Sequence, residues 1–176
     1  GRNVLVIKDV DKGKDLRTKG IKDLPAFSNP SWSPDGNQIL LSGKKEGQTD
    51  LYVLDLRTEK LTQLTNDIYS ELHPSWSADG STIIYSTDEP AWNEGRTFGV
   101  LTFNLAEMDM ISGTTRNFRV FQGADNLNPQ YDANGDVVFL SNRDGYRNMY
   151  RYNIVREEVV QLTDIPTGIS GISQYS

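Results

Sequence analysis

Few residues in this chain are equipped for chemistry. His73 is the single histidine among 176 residues, and cysteine is absent. Thiol catalysis, disulfides, Cys-ligated zinc and a multi-histidine metal site are therefore excluded within the chain. Serine and aspartate are plentiful, but nothing in their placement relative to His73 suggests a triad. There is no G-x-S-x-G elbow and no glycine loop of the kind that cradles phosphate. The stretch "DKGKD" (11–15) is too short and too basic for a calcium loop, and no other segment has that oxygen spacing. His73 alone reads as a structural position rather than a catalytic base. No catalytic residue, metal ligand or cofactor is expected.

What remains is polar residues that repeat in frame and one aromatic-rich segment. Asn29, His73 and Asn128 each stand immediately before a proline. Asp50, Asn104 and Asn148 form a second such set, and Asp55, Asp109 and Asn153 a third. These two sets are expected to bond to backbone or face solvent at element ends. The segment 87–103 carries Trp92, Arg96, Phe98 and Phe103 among Asp88, Glu89 and Glu94. Trp and Arg are the residues most enriched at binding hot spots.

The elements that must hold these residues are legible because the chain repeats itself. "NPSWSPDG" (29–36), "HPSWSADG" (73–80) and "NPQYDANG" (128–135) are three versions of one phrase, and Gly36, Gly80 and Gly135 stand 44 and 55 residues apart. The first spacing falls within the roughly 40–45 residues of a four-stranded propeller blade. Each phrase is followed by a short apolar run, "QILLS" (38–42), "TIIYS" (82–86) and "VVFLS" (137–141). Then come "DLYVLDL" (50–56), "NLAEMDM" (104–110) and "NMYRYNI" (148–154), and last "KLTQLT" (60–65), "TRNFRVF" (115–121) and "EVVQLT" (158–163). The runs are short, rich in β-branched and aromatic residues, and bounded by Gly, Asp, Asn and Thr, which marks strands rather than helices.

Within the phrase, Pro30, Pro74 and Pro129 are expected to open a first strand. Trp32, Trp76 and Tyr131 are expected to pack between neighbouring blades, and the Asx-Gly pairs to make the turn into the second strand. Second strands that are apolar at consecutive positions require cover on both faces, which radial stacking of sheets supplies. The expected fold is all-β, a β-propeller of four-stranded antiparallel blades.

The pattern "PSWSPDG…I…S…DLYVLDL…QLT" resembles the TolB-like (WD40-like, PD40-type) propeller repeat. It is strong in the first two copies and weaker in the third, where Tyr131-Asp132 replaces Trp-Ser. The resemblance implies a propeller of bacterial envelope proteins, which also occurs beside the catalytic domain of prolyl-oligopeptidase-type peptidases. In those peptidases the catalytic serine lies in a separate domain.

The repeat frames one unit over 1–176, with blades at about 29–65, 73–121 and 128–163 and partial-blade strands at 3–22 and 169–176. This reads as a segment of a larger propeller rather than a complete four-bladed one. Its open edges invite either the remainder of its own propeller or self-association. First strands line the central channel, so Asn29, His73 and Asn128 are expected near one mouth. There they either cap their own turns or form a polar ring that holds a ligand. The longer connection in the second blade, with Trp92, Arg96 and Phe98, either packs on that blade or docks a partner.

Net charge is −6, with no basic cluster beyond pairs such as Lys44-Lys45, so no nucleic-acid partner is expected. No apolar run approaches the ~18 residues of a membrane span, and the first residues carry no signal-peptide pattern. Three functions stay open: a non-enzymatic scaffold binding protein or peptide, placed in the periplasm or cell envelope by the resemblance; the substrate-gating propeller of a larger hydrolase; or a propeller with lyase or lactonase chemistry on a channel metal, against which the single His73 counts.

Overall fold

The computed structural model describes residues 3–95 and 101–173. Its backbone is a series of antiparallel hairpins. A two-stranded sheet, β1 (Leu5–Asp9) and β2 (Lys14–Lys19), precedes three sheets of four strands. Blade 1 runs β3 (Ala26–Trp32), β4 (Gln38–Lys45), β5 (Gln48–Asp55) and β6 (Leu61–Gln63). Blade 2 runs β7 (Glu71–Trp76), β8 (Thr82–Thr87), β9 (Asn104–Asp109) and β10 (Thr115–Phe118), with a one-turn helix, α1 (Glu89–Asn93), between β8 and β9. Blade 3 runs β11 (Asn126–Tyr131), β12 (Val137–Ser141), β13 (Asn148–Asn153) and β14 (Glu158–Gln161). In every complete blade spatial order follows chain order. The first strands β3, β7 and β11 lie side by side.

The apolar second strands are covered on both faces, as their composition requires. Ile39, Leu40 and Leu41 are 2% exposed or less, as are Ile83 and Ile84. Alternate residues point to opposite neighbours. Leu40, Leu51 and Val53 of blade 1 share one core with Ile83, Tyr85 and Ala106 of blade 2. Ile84 and Leu105 of blade 2 share the next with Val137, Phe139 and Tyr150 of blade 3. On its other side blade 1 meets Leu5 and Ile7 of β1 through Ile39, Leu41, Tyr52 and Leu54.

The hairpin between third and fourth strands is built by one residue. Asp55 and Asp109 each accept two backbone N–H groups from the turn that follows, Arg57 and Thr58 for the first, Ile111 and Ser112 for the second. Asp9 does the same for Asp11 and Lys12, which identifies β1 and β2 as the third and fourth strands of a blade. The junctions between blades also repeat. Asn3 bonds Pro25, Thr49 bridges Ser70, Phe103 bonds Asn126 and Arg147 bonds Ile169. Residues 169–173 thus dock where a fourth inner strand would begin. They carry no ladder there, because no second strand lies beside them among the described residues.

Three details of the phrase differ from expectation. Pro30, Pro74 and Pro129 stand within the first strands, not at their start. They are tolerated because these are edge strands and because each lies inside a register shift, between Ser28 and Ser31, Leu72 and Ser75, and Leu127 and Gln130. The third hairpin is one residue shorter. Trp32 pairs Ile39 and Trp76 pairs Ile83, but Tyr131 pairs Val137, so Val137 rather than Val138 matches Ile39. Its turn is also held differently. Asp35 and Asp79 accept from the hydroxyls of Ser33 and Ser77, whereas Asp132, in the serine's place, itself accepts from the amides of Asn134 and Asp136. Finally, Tyr131 and Trp76 pack against the preceding blade, while Trp32 is 51% exposed.

Candidate interaction site

Asn29, His73 and Asn128 occupy one structural position on three adjacent inner strands. Each has a left-handed backbone, with φ of 52°, 52° and 53°. Among non-glycine residues, Asn, Asp and His adopt this region most readily. The residue types at this position therefore answer a backbone demand: the bulge turns the chain through αL just before proline. Local capping is not the common factor, since only Asn29 has a short-range side-chain bond, accepting from the Ser28 hydroxyl at 3.0 Å.

His73 is half-buried, and its shielded Nδ1 has no hydrogen-bond partner. Burial lowers its pKa, and the charge of Arg147 on blade 3 lowers it further, so the ring is neutral at pH 7.

The second in-frame set lies deeper than expected. Asp50, Asn104 and Asn148 are only 3–4% exposed, at the starts of third strands, rather than facing solvent. Asp50 and Asn148 take partners from the end of the fourth strand, whereas Asn104 Oδ1 is buried with no hydrogen-bond partner. The Thr163 hydroxyl and the Ile165 amide donate to Asn148, and Gln63 donates to Asp50 at 3.2 Å. The threonines of the "QLT" phrases close this corner, Thr65 Oγ1 accepting the Leu51 amide and Thr163 Oγ1 that of Met149, both at 2.9 Å.

In blade 1 the corner joins a group that sequence reasoning missed. Glu71 opens β7 and is 2% exposed. The Thr65 hydroxyl donates to its Oε2 at 2.8 Å. Burial, and then the negative field of Asp67, Asp50 and Asp88, lifts its pKa to about 8 against the one lowering bond from Thr65. Burial also raises Asp50 and Asp88. No repeat signal marks this position, because Glu71 precedes the phrase and has Phe27 and Asn126 at its equivalent positions.

Helix α1 leaves β8 at the same end of blade 2, beside Glu71, which pairs Thr87. It is fastened at several points. Tyr69 donates to Asn93, Asn117 to Glu89 and Gln122 to Glu94, at 2.8–3.0 Å. Pro90 and Ala91 are buried, while Trp92 is half-buried. Arg96 and Phe98 lie outside the described residues. The structure therefore places Trp92 on blade 2 with His73, while Asn29 and Asn128 lie on the blades to either side. Among the described residues no three His, Asp or Glu side chains are grouped to hold a metal ion. No helix among them is long and apolar enough to cross a membrane.

Four-stranded blades in radial succession, joined face to face by aligned second strands, define the chain as β-propeller. More narrowly, residues 1–170 match the PD40 TolB beta propeller domain, and the chain belongs to that family. Over 48 residues it is 46% identical to the Tol-Pal system protein TolB of Ruthia magnifica, a match spanning 25% of this chain and 11% of that one. Its fold is similar to that of TolB from Acinetobacter baumannii, with a TM-score of 0.72 at 22% identity, covering 92% of this chain and 38% of the other. It is also similar to puromycin hydrolase, with a TM-score of 0.66 at 15% identity, over 89% of this chain and 25% of that one. The chain thus spans well under half of the length of each of these proteins.

Proposed function

We propose that the chain is part of a non-enzymatic, protein- or peptide-binding propeller of the bacterial envelope, working in the periplasm as a component of a Tol-Pal-type system. The observation that carries this reading is the insertion of blade 2. A one-turn helix is pinned by side-chain bonds to the 66–70 connection, to β10 and to the 121–123 turn, and it holds Trp92 half-buried. A rigidly presented aromatic is what a docking surface needs, since binding then costs little side-chain entropy. Family membership and the match to a Tol-Pal system protein supply the class of partner.

The test is titration calorimetry of the full-length protein with the Pal component of the same organism. Trp92→Ala is expected to weaken binding at least tenfold, and His73→Asn, which keeps the αL backbone, to weaken it less. Binding within twofold of wild type for Trp92→Ala refutes the docking role.

A second reading, a substrate-gating propeller beside a hydrolase domain, draws on the fold similarity to puromycin hydrolase. Hydrolysis of a chromogenic dipeptide by the full-length protein would favour it.

A further inference from the structure

Two outer junctions between blades are built alike, and one of them is less filled. Register aligns them residue for residue. Leu5 pairs Lys19 and Ile7 pairs Arg17, as Leu105 pairs Phe118 and Glu107 pairs Arg116. On the facing blade Leu54 pairs Leu61, as Tyr152 pairs Val159. Between blades 2 and 3 two rings occupy the space. Phe118 and Tyr152 meet edge to face at 5.6 Å, and the Arg116 guanidinium lies 4.6 Å from the centre of the Phe118 ring. Between β2 and blade 1 the same two positions hold Lys19 and Leu54, so no ring pair forms. The cleft left there measures about 460 Å³, against about 330 Å³ at the junction with the rings. That is the size of a small-molecule site.

The cleft is apolar inside and cationic at its rim. Leu5 and Leu54 are 7% exposed, and the half-buried Ile21 and Leu61 extend the same surface. Arg17, Lys19, Lys22 and Lys45 surround it, against the carboxylates of Asp23 and Glu59 alone. This is a surplus of two positive charges in a chain of net charge −6. Glu59 accepts from both Arg17 and Lys19. Lys22 and Lys45 have no ion-pair partner among the described residues. Tyr52 forms part of the wall, is 3% exposed, and its hydroxyl has no hydrogen-bond partner. Its counterpart in blade 3, Tyr150, donates to Asp144 at 2.9 Å. A buried hydroxyl left unpaired is costly, which makes Tyr52 a second mark of an unfilled site.

We propose that this cleft binds a small aromatic carboxylate. The ligand's ring takes the place that Phe118 and Tyr152 fill in the other junction and packs on Leu54 and Leu61. Its carboxylate accepts from the ammonium groups of Lys22 and Lys45, and the Tyr52 hydroxyl is a further donor on the wall. The class follows from the lining. A cation would meet the surplus positive charge, a purely apolar guest would leave both lysines uncompensated, and a bare inorganic anion would leave the leucines in water. The site shares no residue with α1, so it goes beyond the docking role of Trp92 and stands or falls separately.

The probe is N-acetyl-phenylalanine, titrated into the full-length protein by ligand-observed NMR beside its neutral amide and inorganic phosphate. The acid is expected to bind saturably, with a Kd of about 1 mM or tighter, and the amide and phosphate about tenfold more weakly or worse. Lys19→Phe combined with Leu54→Tyr installs the ring pair of the other junction. It is expected to abolish binding with no loss in melting temperature, since Glu59 keeps Arg17 and an exposed ion pair contributes little. Lys22→Gln with Lys45→Gln, at exposed positions, is expected to weaken the acid about fivefold and leave the amide unchanged. Trp92→Ala is expected to leave the whole titration unchanged, which separates this site from the docking surface. Equal binding of acid and amide, phosphate binding as tight as the acid, or no saturation by about 10 mM acid would each overturn the assignment. So would acid binding that survives the ring-filling variant. Should that variant fail to fold, unchanged affinity in the lysine variant decides against the site by itself.

Discussion

Glu71 offers the sharpest handle on this molecule, because its burial converts into a pH-dependent stability. Its carboxyl is 2% exposed, with a folded pKa of about 8 against an ordinary value of 4.5. Between those values the folded protein holds a proton that the unfolded chain releases. Stability from this group is therefore complete below pH 4.5 and is lost as pH rises through 8. With each pKa unit worth ~1.4 kcal/mol, a gap of that size amounts to roughly 3 kcal/mol at pH 7 and on the order of 4–5 kcal/mol by pH 8.5. Glu71→Gln removes the titration while leaving an acceptor for the Thr65 hydroxyl. Thermal unfolding of both proteins from pH 5 to 9 is the assay. The variant is expected to match the parent at pH 5 and to unfold on the order of 10 °C higher at pH 8.5, using about 2–4 °C per kcal/mol for a chain of this size. Parallel pH profiles for the two proteins would show that the carboxyl is solvated or compensated in the fold and would overturn this prediction.

Other perturbations follow from the same contacts. A Cβ on Gly43 would lie 2.6–2.7 Å from side-chain atoms of Leu24 and Tyr52, so Gly43→Ala is expected to cost ~1–3 kcal/mol in urea unfolding. Thr65→Val orphans the buried Leu51 amide and removes the donor to Glu71, an expected loss of ~1–3 kcal/mol by the same measurement. At the αL position, His73→Val is expected to destabilise by ~1–2 kcal/mol while His73→Asn changes little, which separates backbone demand from imidazole chemistry. Trp32→Ala, at a half-exposed ring, is expected to cost less than half as much as Trp76→Ala, whose ring packs into the core between blades 1 and 2.

The sequence made the blades legible because each level of it repeats. Apolar second strands, Asx-Gly turns and terminal Thr recur in the same order, and local strand preference agrees with the need to cover both faces. What it hid were consequences of geometry. The bulge that places Pro30, Pro74 and Pro129 inside their strands follows from pairing register, which no single strand encodes. The αL state at Asn29, His73 and Asn128 was written in the residue types, but a polar ring explains Asn, His and Asn equally well until φ is known. Trp32 reads identically to Trp76 in the phrase, yet their burial differs because cover comes from the neighbouring blade. Glu71 was invisible, since a carboxylate before a strand ordinarily faces water. The insertion of blade 2 was visible as extra length, whereas its anchoring through Glu89, Asn93 and Glu94 depends on partners up to 28 residues away in the chain.

Successive blades bury alternate faces of their second strands against each other. Methyl-selective NOE spectroscopy of the isotope-labelled chain tests this most directly. Cross-peaks are expected to link Leu40, Leu51 and Val53 with Ile83 and Ala106, and Ile84 and Leu105 with Val137 and the ring of Phe139. A spectrum in which Ile83 and Ile84 report the same neighbouring blade would contradict radial stacking.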